Sequence, residues 1–146
     1  MRRLTGAFAM VRIAIIFACS LVASAAMADH RPSHTMCDRT KLAGRGFIEC
    51  LETALRESDQ AVTDAVGRAR ERVETRSDLA PTQRTRWKNV LDEAHGLFVR
   101  FRNFECQNVA PYEGGSGRIG AFEERLACFL DKNIARTHEI KARYGN

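Results

Sequence analysis

Three long stretches of the chain place apolar residues at helical spacing, and short polar or Gly/Pro-rich segments separate them. In the first stretch Phe47, Leu51, Ala54, Leu55, Ser58, Ala61, Val62, Ala65, Val66, Ala69 and Val73 recur at three- and four-residue steps, reaching about Arg76. That is the stripe of an amphipathic helix. Ser77–Pro81 interrupts it, and Pro81 suits the first position of the next helix, where its fixed φ fits and its missing N–H costs nothing. The second helix runs to about Asn108, with Trp87, Val90, Leu91, Ala94, Leu97, Phe98, Phe101 and Phe104 as its expected core face. Pro111 and Gly114–Gly117 break the chain before a third helix from about Ile119 to Tyr144. Its inner face is marked by Ile119, Phe122, Leu126, Phe129, Asn133, Thr137, Ile140 and Tyr144. Residues 29–46, rich in turn formers, read as an irregular arm. No alternating strand pattern competes. The pattern predicts an all-α protein, an antiparallel three-helix bundle with an irregular N-terminal arm.

The first 28 residues belong to a different kind of segment. Arg2, Arg3 and Arg12 lead into an apolar run from Ile13 to Val22, followed by small residues ending in Ala26-Met27-Ala28. This is the order of a secretory signal peptide cleaved after Ala28, leaving residues 29–146 as one helical domain in the periplasm or outside the cell. The apolar run is shorter than the roughly 20 residues a spanning helix needs. Phe17 stands where a small residue would precede a lipidated cysteine, which argues against lipid attachment at Cys19. Loss of the signal's three arginines leaves 20 basic against 18 acidic residues, a formal +2 where the precursor carries +5. Acids and bases alternate along the helices without a basic stripe, so nucleic acid is not an expected partner.

Export also decides how the cysteines read. Cys37, Cys50, Cys106 and Cys128 are even in number and, in an oxidising compartment, predict two disulfides. The rival tetrathiolate zinc site would start from a C-x-x-C pair, and the chain has none. In an up-down-up bundle all four thiols gather at one end, which leaves all three pairings open. Of these, Cys106–Cys128 stapling the Gly-rich loop with Cys37–Cys50 tying down the arm is the favoured set, and Cys50–Cys106 stays an alternative.

Catalytic apparatus is missing from the pattern. His30, His34, His95 and His138 are scattered, with no serine or free cysteine placed to pair with one. Gly114–Gly117 follows no strand and precedes no Walker lysine, so it is not a phosphate cradle. Neither catalytic residues nor a cofactor or metal site are predicted. Arg102 and Arg136 lie near apolar faces toward the cysteine-rich end, where arginine forks commonly organise loops or carboxylates such as Glu105 and Glu139.

The second half carries an ordered signature: Phe101-Arg102-Asn103-Phe104-Glu105-Cys106, then Tyr112-Glu113-Gly114-Gly115-Ser116, then Cys128, then Arg136-Thr137 with Glu139-Ile140. This set resembles the LprI-like lysozyme-inhibitor family of small secreted four-cysteine helical domains. Against the family pattern, Phe98 replaces a tryptophan, Asn103 an aspartate, Asn133 a threonine and Ala80 a capping serine. The resemblance implies an exported binding protein that inhibits lysozyme-type muramidases. A periplasmic adaptor that binds another envelope protein or peptidoglycan, without inhibition, is the alternative. The expected contact is the disulfide-braced loop of Tyr112, Glu113, Gly114, Gly115, Ser116 and Arg118, since a braced loop enters a cleft at low entropic cost. Many lysozymes are cationic, so a local acidic patch from Glu105, Glu113, Glu123 and Glu124 would assist. The sequence leaves the oligomeric state open.

Overall fold

The computed structural model describes residues 31–113 and 117–145, with Arg118 described as backbone alone. The signal segment, its cleavage site, His30 and Gly114–Ser116 lie outside the described residues. Five helices follow in order: α1 (Pro32–Met36), α2 (Arg45–Glu74), α3 (Pro81–Asn108), α4 (Ala110–Glu113) and α5 (Arg118–Tyr144). Among the described residues there is no strand. The three long helices are each about 40–45 Å long at 1.5 Å per residue. Pairs across the bundle fix their directions. Asp59 meets Arg102 and Arg70 meets Asp92, so α2 and α3 are antiparallel. Trp87 meets Tyr144 and Arg102 meets Asn133, so α3 and α5 are antiparallel as well.

The ends of these helices follow local chemistry. Pro81 stands at the first position of α3, and the Gln83 side chain accepts from the Ala80 N–H at 2.8 Å. The reach-back half of a capping box thus survives although Ala80 offers no hydroxyl of its own. Gly44, at φ +53°, turns the chain into α2 through a conformation that side-chain-bearing residues avoid.

Packing is strongest between α2 and α5. Phe47, Leu51 and Ala54 of α2 meet Leu126, Ala127 and Leu130 of α5 around buried Cys37 at one end. Ala65, Val66 and Ala69 meet Leu91 and Ile140 at the other. The small alanines let the helix backbones approach closely.

Two features differ from the sequence expectation. The arm is not wholly irregular: Pro32 opens the short helix α1, and Ser33 within it is fully buried. The larger difference concerns α3. Of its expected core face only Leu91 is buried, with Trp87 and Phe98 half-buried, while Val90, Leu97, Phe101 and Phe104 stand in solvent. The helix meets the bundle along Leu91, His95, Phe98, Arg102 and Cys106. That row lies one residue, or about 100°, around the helix from the exposed one.

Candidate functional site

Both disulfides sit at the same end of the bundle. Cys37 bonds to Cys50 with Cα atoms 5.8 Å apart, and Cys106 bonds to Cys128 at 5.5 Å. The first ties the segment after α1 to the start of α2. The second pins the end of α3 to α5, with α4 packed against both. Cys106, Ala110 and Cys128 form a small core of their own, with Phe129 packed against it.

A polar clamp anchors the arm to α5. The Ser33 N–H and hydroxyl both donate to Asp131, at 2.7 and 2.9 Å. Arg31 bridges Asp131 and Glu124. Arg39 reaches buried Glu123 and lies over the Phe47 ring, 4.7 Å from its centroid. Sequence reading missed this clamp, because its two halves are about a hundred residues apart. The one local signal was Pro32, which suits a helix start.

Between the arm, the end of α3, α4 and α5 lies a groove of about 670 Å³. Cys128, Ile134 and Ala135 contribute its apolar wall, and Glu105, Glu113, Glu124, Asp131, Arg31 and Lys132 its charges. A second hollow of about 260 Å³, bordered by Phe47 and Glu123, shares Glu113 and Glu124 with it. The acidic patch expected from sequence is therefore assembled in space, but it is mostly neutralised. Glu105 pairs with Lys132 at 3.0 Å, Glu123 with Arg39 and Glu124 with Arg31. Among the described residues only Glu113 of the four has no ion-pair partner. Next to it Tyr112 is 86% exposed, the most exposed of the large apolar side chains among the described residues. Gly114–Ser116 and the Arg118 side chain fall outside the described residues, so the loop is known from its α4 side.

Arg102 and Arg136 stand apart from this rim, at mid-height. Arg102 donates to Asn133 at 2.6 Å and pairs with Asp59 at 3.0 Å, joining all three long helices. Fully buried Asn133 in turn donates to Ser58 and Asp59. Arg136 pairs with Glu139 at 2.6 Å. Both guanidinium groups lie over the Phe98 ring, at 5.9 and 5.4 Å from its centroid, in cation–π contact. The arginines thus organise the interior between α3 and α5 and do not border the large groove.

His95 stacks beside Phe98 in the same layer. Burial lowers its pKa from the ordinary 6.5, and the nearby positive charges of Arg136 and Arg102 lower it further. As pH falls below 6.5 the unfolded chain therefore takes up the proton first, which favours unfolding. Stability should be fully present above about pH 6.5 and decline as pH falls toward the folded-state pKa. Asp38, held to about 2 by the Thr40 hydroxyl and N–H, and Asp78, held to about 2 by Arg76, titrate below this window. Urea unfolding at pH 7.5 and pH 5 should show the loss, and His95→Gln should flatten it. An equal slope in the variant would assign the effect elsewhere.

Among the described residues no cluster of three His, Cys, Asp or Glu side chains is arranged to hold a metal ion. No described helix is long and apolar enough to cross a membrane. The site is thus a disulfide-pinned end of the bundle with an open groove and an exposed tyrosine. That construction suits recognition of another molecule's surface. Comparison with curated proteins and with solved structures finds no match. Comparison with protein families does: the model described as lysozyme inhibitor LprI matches residues 37–140, from the first disulfide cysteine to the last core residue of α5. With the match spanning most of the chain and both disulfides, this protein belongs to the LprI lysozyme-inhibitor family.

Proposed function

We propose that this protein is exported, loses residues 1–28, and inhibits a lysozyme-type muramidase in the periplasm or outside the cell by binding it, without catalysing a reaction. Family membership over residues 37–140 carries the reading. Two disulfides support export, since such bonds persist in oxidising compartments and are rare in the cytosol.

The contact we assign is the rim formed by Tyr112 and Glu113 with the adjoining Gly114–Ser116 and Arg118. Tyrosine suits the role of anchor, because it brings a large amphipathic surface with few rotatable bonds. Pinning by Cys106–Cys128 lowers the ordering cost of binding. Electrostatic steering has a small part here. Glu105, Glu123 and Glu124 are already paired within the chain, and Glu113, without an ion-pair partner among the described residues, is the one assigned to face a cationic enzyme.

A lysozyme turbidity assay tests this directly. Micromolar protein should slow lysis by at least one of the c-type, g-type or bacterial muramidases. Tyr112→Ala should weaken inhibition about tenfold or more, as for a central aromatic anchor, and Glu113→Lys should lower the association rate more than it raises dissociation. Full activity of all three muramidases at micromolar protein would sink the inhibitor reading. Binding without slowing would point to an adaptor. Unchanged inhibition by both variants would remove the rim as the contact.

A further inference from the structure

The exposed row of α3 is more than scattered apolar surface. Val90, Ala94, Leu97, Phe101 and Phe104 follow one another at steps of 4, 3, 4 and 3 residues, the spacing of a coiled-coil seam. Val90, Leu97, Phe101 and Phe104 are 55, 53, 59 and 65% exposed. A bundle helix needs one apolar face, and α3 already uses the row one residue further round to meet α2 and α5. A second contiguous row, with two phenylalanines in water, marks an association surface.

We propose that the occupant is a second copy of this chain, with the two α3 helices packed antiparallel about a two-fold axis at the level of residues 95 and 96. Three observations select this partner. First, the seam is complementary to itself when reversed. Small Ala94 falls opposite Leu97 at the centre, and Val90 falls opposite Phe101 on either side, so every large side chain meets a smaller one in the central layers. Second, the flanking charges match in this orientation. Glu93 and Arg100 border the seam seven residues apart, and antiparallel pairing sets Glu93 of each copy against Arg100 of the other. Both are exposed and have no ion-pair partner among the described residues, whereas their neighbours Asp92 and Glu105 are taken by Arg70 and Lys132. A parallel pair would lose both matches and direct Arg100 toward the already occupied Glu105. Third, the area approaches that of a stable interface. The four exposed side chains offer on the order of 500 Å² per copy, given roughly 150–250 Å² for each large aromatic residue. The stems of flanking Arg86 and Arg100 bring this toward the ~800 Å² per partner of a stable interface. The Tyr112–Glu113 rim stays outside the seam.

Sedimentation equilibrium of the oxidised, exported chain over roughly 1–100 μM tests the proposal, the range suited to an interface of this modest size. The expected result is a concentration-dependent rise to twice the monomer mass. Phe101→Glu should hold the chain monomeric with unchanged helicity, because the side chain is 59% exposed and a carboxylate there keeps Lys132 as its neighbour. Glu93→Arg and Arg100→Glu should each weaken dimerisation roughly tenfold by turning two attractive contacts repulsive, and the double exchange should restore it. A monomer throughout the concentration range would overturn the proposal. So would a dimer indifferent to Phe101→Glu, or charge variants without rescue. If the chain is monomeric and Phe101→Glu abolishes muramidase inhibition, the seam belongs to the target interface instead.

Discussion

Replacing Cys106 and Cys128 together with alanine should lower the unfolding free energy by about 3 kcal/mol, the value the chain-entropy model assigns to a loop of this length. The bond closes a sequence separation of 22 residues that contains α4 and the Gly-rich segment. Without it the end of α3 keeps the packing around Ala110 and Phe129 and, one turn back, the Arg102–Asn133 bond. Beside the lost bond remain the Glu105–Lys132 ion pair and the Lys132 contact over Phe101. Both of those are partly exposed and individually weak. For a domain of this size the loss corresponds to a fall in Tm of about 10 °C or more. Alanine is the informative replacement because Cys106 is fully buried, and serine would add the cost of an unpartnered hydroxyl. The same variant should weaken inhibition, since the Tyr112 rim would have to be ordered at the moment of binding. Thermal unfolding of the oxidised parent, the reduced parent and the variant makes the comparison. An unaltered Tm in the variant would show that α4 packing alone holds this end.

The bundle itself was legible because α2 and α5 each carry a single unambiguous apolar stripe, and Pro81 and the Gly-rich segment mark the reversals. Topology brought all four cysteines to one end but left three pairings open, and the structure selects Cys37–Cys50 with Cys106–Cys128. The face of α3 was not readable. Its apolar residues fill two adjacent rows, and helical periodicity cannot tell which row meets α2 and α5. That choice is made by the partners, through Leu91 against Ala65 and Ala69 and through Arg102 against Asn133. The candidate rim was legible only as a loop between cysteines. That its acidic neighbours are neutralised depends on Arg31, Arg39 and Lys132, which arrive from elsewhere in the chain.

The mid-height polar layer was the least legible part, and it supports the second large effect. Ser58 and Asn133 each interrupt an apolar stripe, and in sequence each reads as a local imperfection. In space they answer one another. Asn133 donates to Ser58 at 3.0 Å and to Asp59 at 2.8 Å, and its side-chain oxygen accepts from Arg102 at 2.6 Å. The layer separates the two apolar clusters of the α2–α5 interface and sets their register, because sliding either helix by a turn would strand every member. Asn133→Ala should therefore cost about 3 kcal/mol, the sum expected when a buried hydrogen-bond hub is removed and its partners lose their matches. Asn133→Leu restores the volume but not the bonds, and leaves the Arg102 guanidinium held only by exposed Asp59, Asn103 and the Phe98 and Phe129 rings. It should recover only the cavity part of the loss. Asn133→Thr supplies the residue expected at this position from the family pattern. One hydroxyl can serve Arg102 or Ser58 while losing one of three bonds or more, so a cost of about 1 kcal/mol is expected. The ordering parent, threonine, leucine, alanine in denaturant midpoint would identify the layer as a source of stability. A leucine variant as stable as the parent would instead mean that the layer's bonds only offset the desolvation of its members, and that what it contributes is the register of α2 on α5.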